Sequence, residues 1–283
     1  YKRQRKDPAD RAMPPPGAVA YMDFCGPMVP SYPHGYIAYC GCVDAGSGYA
    51  RALPSHSMRK EVASATLAIY VADLRAKMGL TDTFQPCVVN SDNGSAFVSH
   101  HFREFLSDRQ IRQTFSPPYT PQLNSYIERL WGTAFGTARV LLAASNLPPS
   151  MHPFAVQTAI WIINRLPRPS RGNRSPYMLL TRTLPSLEYL YTFGCLCLAW
   201  LTEPLRHGDR HFADRGSPSL YLGPSEEGSM SVVYVFALRR VLPVAKIRVW
   251  EDVFPGLRGS SYTWFPDGVG DSGGAANNGA DTY

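Results

Sequence analysis

Asp23, Asp92 and Glu128 are the residues of this 283-residue chain whose surroundings most need a chemical explanation. Asp23 interrupts the apolar run Ala20-Tyr21-Met22-Asp23-Phe24, where an ionised carboxylate is costly unless a partner of opposite charge meets it. Asp92 sits in Ser91-Asp92-Asn93-Gly94, a sequence that turns the chain sharply at the end of the apolar stretch Pro86 to Asn90. Glu128 lies early in a stretch of helical periodicity entered through Thr120 and Pro121, which suit an N-cap and a first helical position. Taken singly, each acid reads as a solvated or salt-bridged surface carboxylate. Converging, the three suit Mg²⁺, which prefers hard oxygen ligands and keeps its other positions for water and phosphate oxygens. Two such ions about 4 Å apart activate an attacking hydroxyl and stabilise the leaving oxygen in an in-line displacement at phosphorus.

The elements that must position these acids follow from periodicity. Residues 1–17 combine a basic cluster (Lys2, Arg3, Arg5, Lys6, Arg11) with Pro14-Pro15-Pro16 and read as an extended linker. Ala18 to Met28, Tyr36 to Val43 and Tyr49 to Leu53 predict an antiparallel three-strand opening, with Gly46-Ser47-Gly48 supplying a turn. Leu67, Val71, Leu74 and Met78 fall at helical spacing within Arg59 to Met78, and Gly79 is placed to stop that helix. A strand at Pro86 to Asn90, a helix at His101 to Arg109 and a strand at Ile111 to Phe115 come next. Beyond the proline-rich loop, Ile127, Leu130, Ala134, Ala138 and Leu141 give a helix an apolar stripe as far as about Ser145. One more helix spans Met151 to Leu166 and is ended by Pro167.

Further on, Arg165, Arg168, Arg171 and Arg174 are spaced through a Pro- and Gly-containing loop expected to be exposed. Tyr189 to Leu201, Ser219 to Gly223, Ser231 to Phe236 and Ala245 to Val253 predict the strands of a small β-rich module. From Gly256 the composition is that of a disordered linker. The chain thus divides into a linker (1–17), an α/β core (18–180), a β-rich module (185–255) and a second linker (256–283).

Composition narrows the function classes. Lys and Arg exceed Asp and Glu by 28 to 22 and the isoelectric point is about 9.0, which favours polyanionic partners without singling one out. The six cysteines fall mostly in strand-like runs and are expected as reduced, buried thiols. Cys40 with Cys42 and Cys195 with Cys197 are C-x-C pairs, yet no C-x-x-C and no matching His pair completes a zinc site. No apolar run reaches the roughly 18 to 20 residues that cross a bilayer, so a soluble, intracellular protein without membrane partners is expected. Tyr1 in place of a start methionine makes a segment of something longer the expectation.

Asp92 and Glu128 enclose 35 residues, and this spacing resembles the D,D-35-E signature of retroviral and retrotransposon integrases. The motifs Met22-Asp23-Phe24-Cys25-Gly26-Pro27-Met28, Ser91-Asp92-Asn93-Gly94 and Tyr119-Thr120-Pro121-Gln122-Leu123-Asn124-Ser125-Tyr126-Ile127-Glu128-Arg129 match it locally. Ile163-Asn164-Arg165-Leu166-Pro167, Phe193-Gly194-Cys195, Tyr221-Leu222-Gly223 and Asp252-Val253-Phe254 resemble the segments that follow the core in Ty1/copia-type polyproteins. The resemblance implies an RNase H-like core, a mixed five-stranded sheet flanked by helices, with Asp23, Asp92 and Glu128 as catalytic residues and ligands of Mg²⁺ or Mn²⁺. It implies 3′-end processing and strand transfer on DNA, a homo-multimer, and neighbouring polyprotein domains such as reverse transcriptase. A site of action in the nucleus, preceded by a cytoplasmic particle, goes with it.

Asn124 and Arg129 lie within about a turn of Glu128 and are candidates for DNA contact, with a helix cap and a surface cation as their plain alternatives. The family usually has Gly where Ser125 stands, Glu where Ala96 stands and a basic residue after Glu-Arg, where this chain has Leu130 and Trp131. No His/Cys zinc-binding module precedes the core in these residues. A catalytically decayed or repurposed DNA-binding module with the same fold therefore stands as the alternative, and an RNase H or DNA transposase as a third reading.

Overall fold

A computed structural model describes residues 13–115, 125–202 and 215–257. Strands β1 (Val19–Cys25), β2 (Ala38–Asp44) and β3 (Ala50–Ser55) form an antiparallel meander whose register sets Asp23 opposite Gly41. Helix α1 (Lys60–Met78) then crosses to β4 (Val88–Ser91), which pairs parallel with the other edge of β1. The helix stops where expected, because Gly79 adopts φ 64° and its N–H caps the Arg75 carbonyl. Helix α2 (His100–Ser107), capped by the Ser99 hydroxyl on the Phe102 N–H, leads to β5 (Arg112–Phe115), parallel to β4. The strand order β3-β2-β1-β4-β5 is the mixed, five-stranded RNase H-like sheet.

Alternation along the strands sends side chains to two cores. Ala20, Met22, Cys40 and Cys42 point to the face covered by α1 and α2, where they meet Leu67, Tyr70, Leu74, Phe97 and Phe102. Tyr21, Asp23, Tyr39 and Val43 belong to the opposite face, under α3 (Ser125–Ser145) and α4 (His152–Arg165). There Ile127, Trp131, Ala134, Met151, Ala155 and Ile160 complete the core. Both halves of each C-x-C pair are buried among apolar side chains, whereas Cys25 is half-buried and Cys87 exposed.

A second, antiparallel sheet follows: β6 (Leu196–Trp200), β7 (Gly216–Pro224), β8 (Ser231–Val235), β9 (Arg240–Val244) and β10 (Ile247–Trp250), in the order β10-β6-β7-β8-β9. It has its own core of Cys195, Cys197, Ala199, Tyr221, Val233 and Val235, while Leu220, Leu222 and Tyr234 join the α3–α4 core. Three expectations change here. The stretch expected as a strand from Ala245 to Val253 is strand only at Ile247–Trp250, and the strand before it, Arg240–Val244, was not expected; the two lie at opposite edges, joined by a bend at Ala245 and Lys246. Tyr189 to Leu201 is strand only from Leu196, and a short helix α5 (Pro176–Thr181), capped by Ser175 on the Met178 N–H, was not anticipated. The linkers expected at 1–17 and from 256 lie almost wholly outside the described residues.

One contact in this frame bears directly on Asp23. A Cβ on Gly41 would lie 2.5 Å from Cζ2 of Trp131, so only glycine lets the indole rest on the sheet at this point. Gly41→Ala should therefore displace Trp131 and destabilise the protein by about 1–3 kcal/mol. Urea unfolding measures this, and an unchanged midpoint would show that the ring is not held there.

Candidate active site

Asp23 lies on the face of β1 that α3 covers, and the Trp131 indole N–H donates to its Oδ2 over 3.1 Å. Burial raises its pKa to about 6, and the negative charge of Asp92 adds to the rise. The Trp131 N–H and the Phe24 backbone N–H oppose it, and Glu128 contributes a smaller repulsion. A carboxylate in this state is solvated by two donors yet has no cation to neutralise it.

Asp92 follows β4 directly. Because Tyr21 pairs with Asn90 in the parallel register, Asp92 comes level with Asp23 at the C-terminal end of the neighbouring strand. Its side chain is fixed locally: the Gly94 N–H donates to Oδ1 over 2.9 Å, and a Cβ on Gly94 would stand 2.9 Å from that same oxygen. Glu128 occupies the first turn of α3 and is exposed, since Ile127, Leu130 and Trp131 take the inward positions of that turn. Next to it, the Arg129 guanidinium sits 5.4 Å from the centre of the Tyr126 ring, which is stacked on Tyr21 at 5.1 Å. Asn124, Thr120 and Pro121 lie outside the described residues.

The three acids thus lie within one another's fields without closing into a ligand shell. Among the described residues, no group of three or more His, Cys, Asp or Glu side chains is placed to hold a metal ion. The donor chemistry nevertheless fits a hard divalent cation, because all three groups are carboxylates and the raised pKa of Asp23 reflects charge that a cation would neutralise. Sequence reasoning did not anticipate Trp131, which it counted as a departure in a place where a basic residue is usual. Its position one turn beyond Glu128 was the available signal, but its partner depends on the β1–β2 register. The arginine loop also needs correction. Arg171 is 8% exposed and its guanidinium donates to the carbonyls of Gly46 and of Ala45, the latter over 3.1 Å. Those carbonyls, rather than solvent, satisfy its donors.

The sign of the Asp23 effect on stability follows from linkage. Its folded-state pKa is raised, so the folded state holds this proton more tightly than the unfolded chain. Stability is therefore lost as pH rises from about 4 to about 6, and the deficit persists above that in metal-free protein. Asp23→Asn in EDTA at pH 7.5 should raise the melting temperature, by an equivalent on the order of 1–3 kcal/mol, and flatten the profile between pH 4 and 6. A lowered melting temperature at pH 7.5 would contradict the charge-burial account.

Residues 14–121 match the integrase core domain family, a span that contains Asp23 and Asp92 and ends before Glu128. The chain is 32% identical over 165 residues to the retrovirus-related Pol polyprotein from transposon RE1 of Arabidopsis thaliana, covering 58% of this chain and 11% of that protein. To the Pol polyprotein from transposon TNT 1-94 of Nicotiana tabacum it is 32% identical over 139 residues, 49% of this chain and 10% of that protein. The chain therefore spans about a tenth of the length of these curated relatives. Among solved structures, a chain of the simian T-cell lymphotropic virus intasome in complex with PP2A regulatory subunit B56 gamma aligns over 86% of this chain and 84% of its own, with 19% identity and a TM-score of 0.48. Residues 14–121 are thus similar in sequence to integrase core domains, in a chain that is similar over part of its length to retrotransposon Pol polyproteins.

Proposed function

We propose that this chain is the catalytic core of a retrotransposon integrase, a polynucleotidyl transferase with endonuclease activity that processes the 3′ ends of an element's DNA and joins them to target DNA. The observation that supports it best is the placing of Asp23 and Asp92 side by side at the ends of parallel strands, with the charge of Glu128 acting on the same point. In processing, a water oxygen bonds to phosphorus near the end of the element, and the broken bond leaves a 3′-hydroxyl. In joining, that hydroxyl bonds to a phosphorus of the target strand as the old 3′-oxygen departs.

Asp23, Asp92 and Glu128 are the residues that would hold Mg²⁺ or Mn²⁺, which when bound supplies a Lewis acid that favours the ionised nucleophile and the leaving oxygen. The chain's own contribution is positioning. Trp131 holds Oδ2 of Asp23, and the Gly94 N–H holds Oδ1 of Asp92. Arg129, next in sequence to Glu128, presents a guanidinium to substrate phosphates, and Asn124, four residues before Glu128 in sequence, is its proposed companion. DNA ends and target DNA, further copies of the chain and neighbouring polyprotein domains such as reverse transcriptase are the proposed partners. Action on DNA puts the proposed site of function in the nucleus.

One observation favours the second reading, a DNA-binding module that keeps the fold without the chemistry: the three acids do not form a ligand group in the described structure. The two readings separate in a joining assay with short DNA ends and Mg²⁺ or Mn²⁺. For the enzyme, Asp92→Asn should lower strand transfer by about 100-fold or more while DNA binding persists, and EDTA should stop joining outright. Metal-dependent joining retained by Asp92→Asn overturns the assignment of Asp92. DNA binding that ignores EDTA, with no joining by the unaltered protein, leaves the binding module.

A further inference from the structure

The turn between β2 and β3 and the loop after α4 bring together a group of cations outside the three acids. The loop is rigid: the backbone N–H groups of Arg171 and Asn173 both donate to the Arg168 carbonyl, and the Arg168 N–H donates to the Arg174 carbonyl. Arg171 anchors it to the turn through the carbonyls of Ala45 and Gly46. Gly48, at φ 77°, lies under both guanidiniums, since a Cβ there would stand 3.2 Å from Arg168 Nη1 and 3.4 Å from Arg171 Cζ.

Arg168 differs from Arg171 in what meets its charge. Among the described residues its side chain has no ion pair and no hydrogen bond, and the charged groups that act on it are Arg171 and Arg129. Asp44, whose charge acts on Arg171, is buried and accepts from the Gly17 N–H, the Ser47 N–H and the Ser47 hydroxyl. Half-buried beside two like charges, the Arg168 guanidinium has its pKa lowered by burial first and by that repulsion second. A group kept in this setting is stabilised by an anion that uses its fork of donors, and a phosphodiester is such an anion.

The group connects to the acids through Arg129, whose charge acts on Arg168. Arg129 directly follows Glu128, and the Tyr126 ring beneath Arg129 stacks on Tyr21, two residues before Asp23 on the same strand face. We infer that Arg168, together with Arg129, forms a phosphate-binding site that grips the DNA backbone beside the three acids, with Arg171 as the buried strut that holds Arg168 in place. This rests on the DNA-directed reading above and adds to it a contact from a loop some forty residues beyond Glu128 in sequence.

The test is fluorescence anisotropy with a labelled DNA duplex in EDTA, where no joining occurs, at several KCl concentrations. The variants are Arg168→Gln, which keeps much of the side-chain length without the charge, and Arg168→Lys, which keeps the charge. Arg168→Gln should weaken binding about 5- to 10-fold near 0.1 M salt and reduce the slope of log K against log[salt] by about one, with the melting temperature close to that of the unaltered protein. Arg168→Lys should retain the slope. If the unaltered protein binds DNA and Arg168→Gln matches it in affinity and slope, the site is refuted. If neither binds DNA, the DNA-directed reading itself falls and takes this inference with it.

Discussion

A negative charge under an indole, in a sheet face that is otherwise apolar, is the constraint around which this molecule is arranged. The Trp131 N–H and the Phe24 N–H solvate Asp23, but two neutral donors do not replace the water that burial removes. Asp92 and Glu128 then add repulsion to desolvation. The local free energy is unfavourable, so the surrounding packing must be strong enough to hold the carboxylate where it would not otherwise stay.

That packing comes from both sheets. α3 carries Trp131, and α3 is held by α4, whose buried face includes Ala155, Val156, Ala159 and Ile163. Beyond α4, the second sheet adds Leu220, Leu222 and Tyr234 to the same core. The approach there is close enough to require glycine: Gly223 has φ 114°, and a Cβ on it would fall 2.0 Å from the Thr158 hydroxyl oxygen. Arg51 adds a polar tie across the seam by pairing with Asp73 in α1 and with Glu226 after β7. Asp23 is thus reached from the second sheet through β7, α4, α3 and Trp131, each step a packed contact.

Much of this was legible in the sequence, for definite reasons. The alternation that marks β1, the Asp-Asn-Gly turn after β4 and the stripe Ile127, Leu130, Ala134, Ala138 are local patterns, and local patterns report which face a residue occupies. The three acids could be picked out because each breaks or ends such a pattern. What escaped is non-local. The contact of Trp131 with Asp23 depends on Gly41 lying opposite Asp23, a register that neither strand states alone. Arg171 carried a surface composition and turned out buried, because the carbonyls that satisfy it belong to a turn about 125 residues earlier. β9 escaped as well, because Arg239, Arg240 and Pro243 give Arg240–Val244 little of the apolar alternation that marks a strand.

The three acids are also held in three different ways, which bears on how the site answers a cation. Asp92 is fixed by its own turn, through an amide two residues away. Asp23 is fixed from a distance, by a helix that packs over the sheet. Glu128 is exposed on the first turn of α3. Were a divalent cation bound, Asp23 and Asp92 would offer it two carboxylates already placed, and its charge would offset the repulsion between them. The sheet and the turn after β4 therefore define where the charge of the pair sits, whereas Glu128 depends for its place on how α3 packs through Ile127, Leu130 and Trp131.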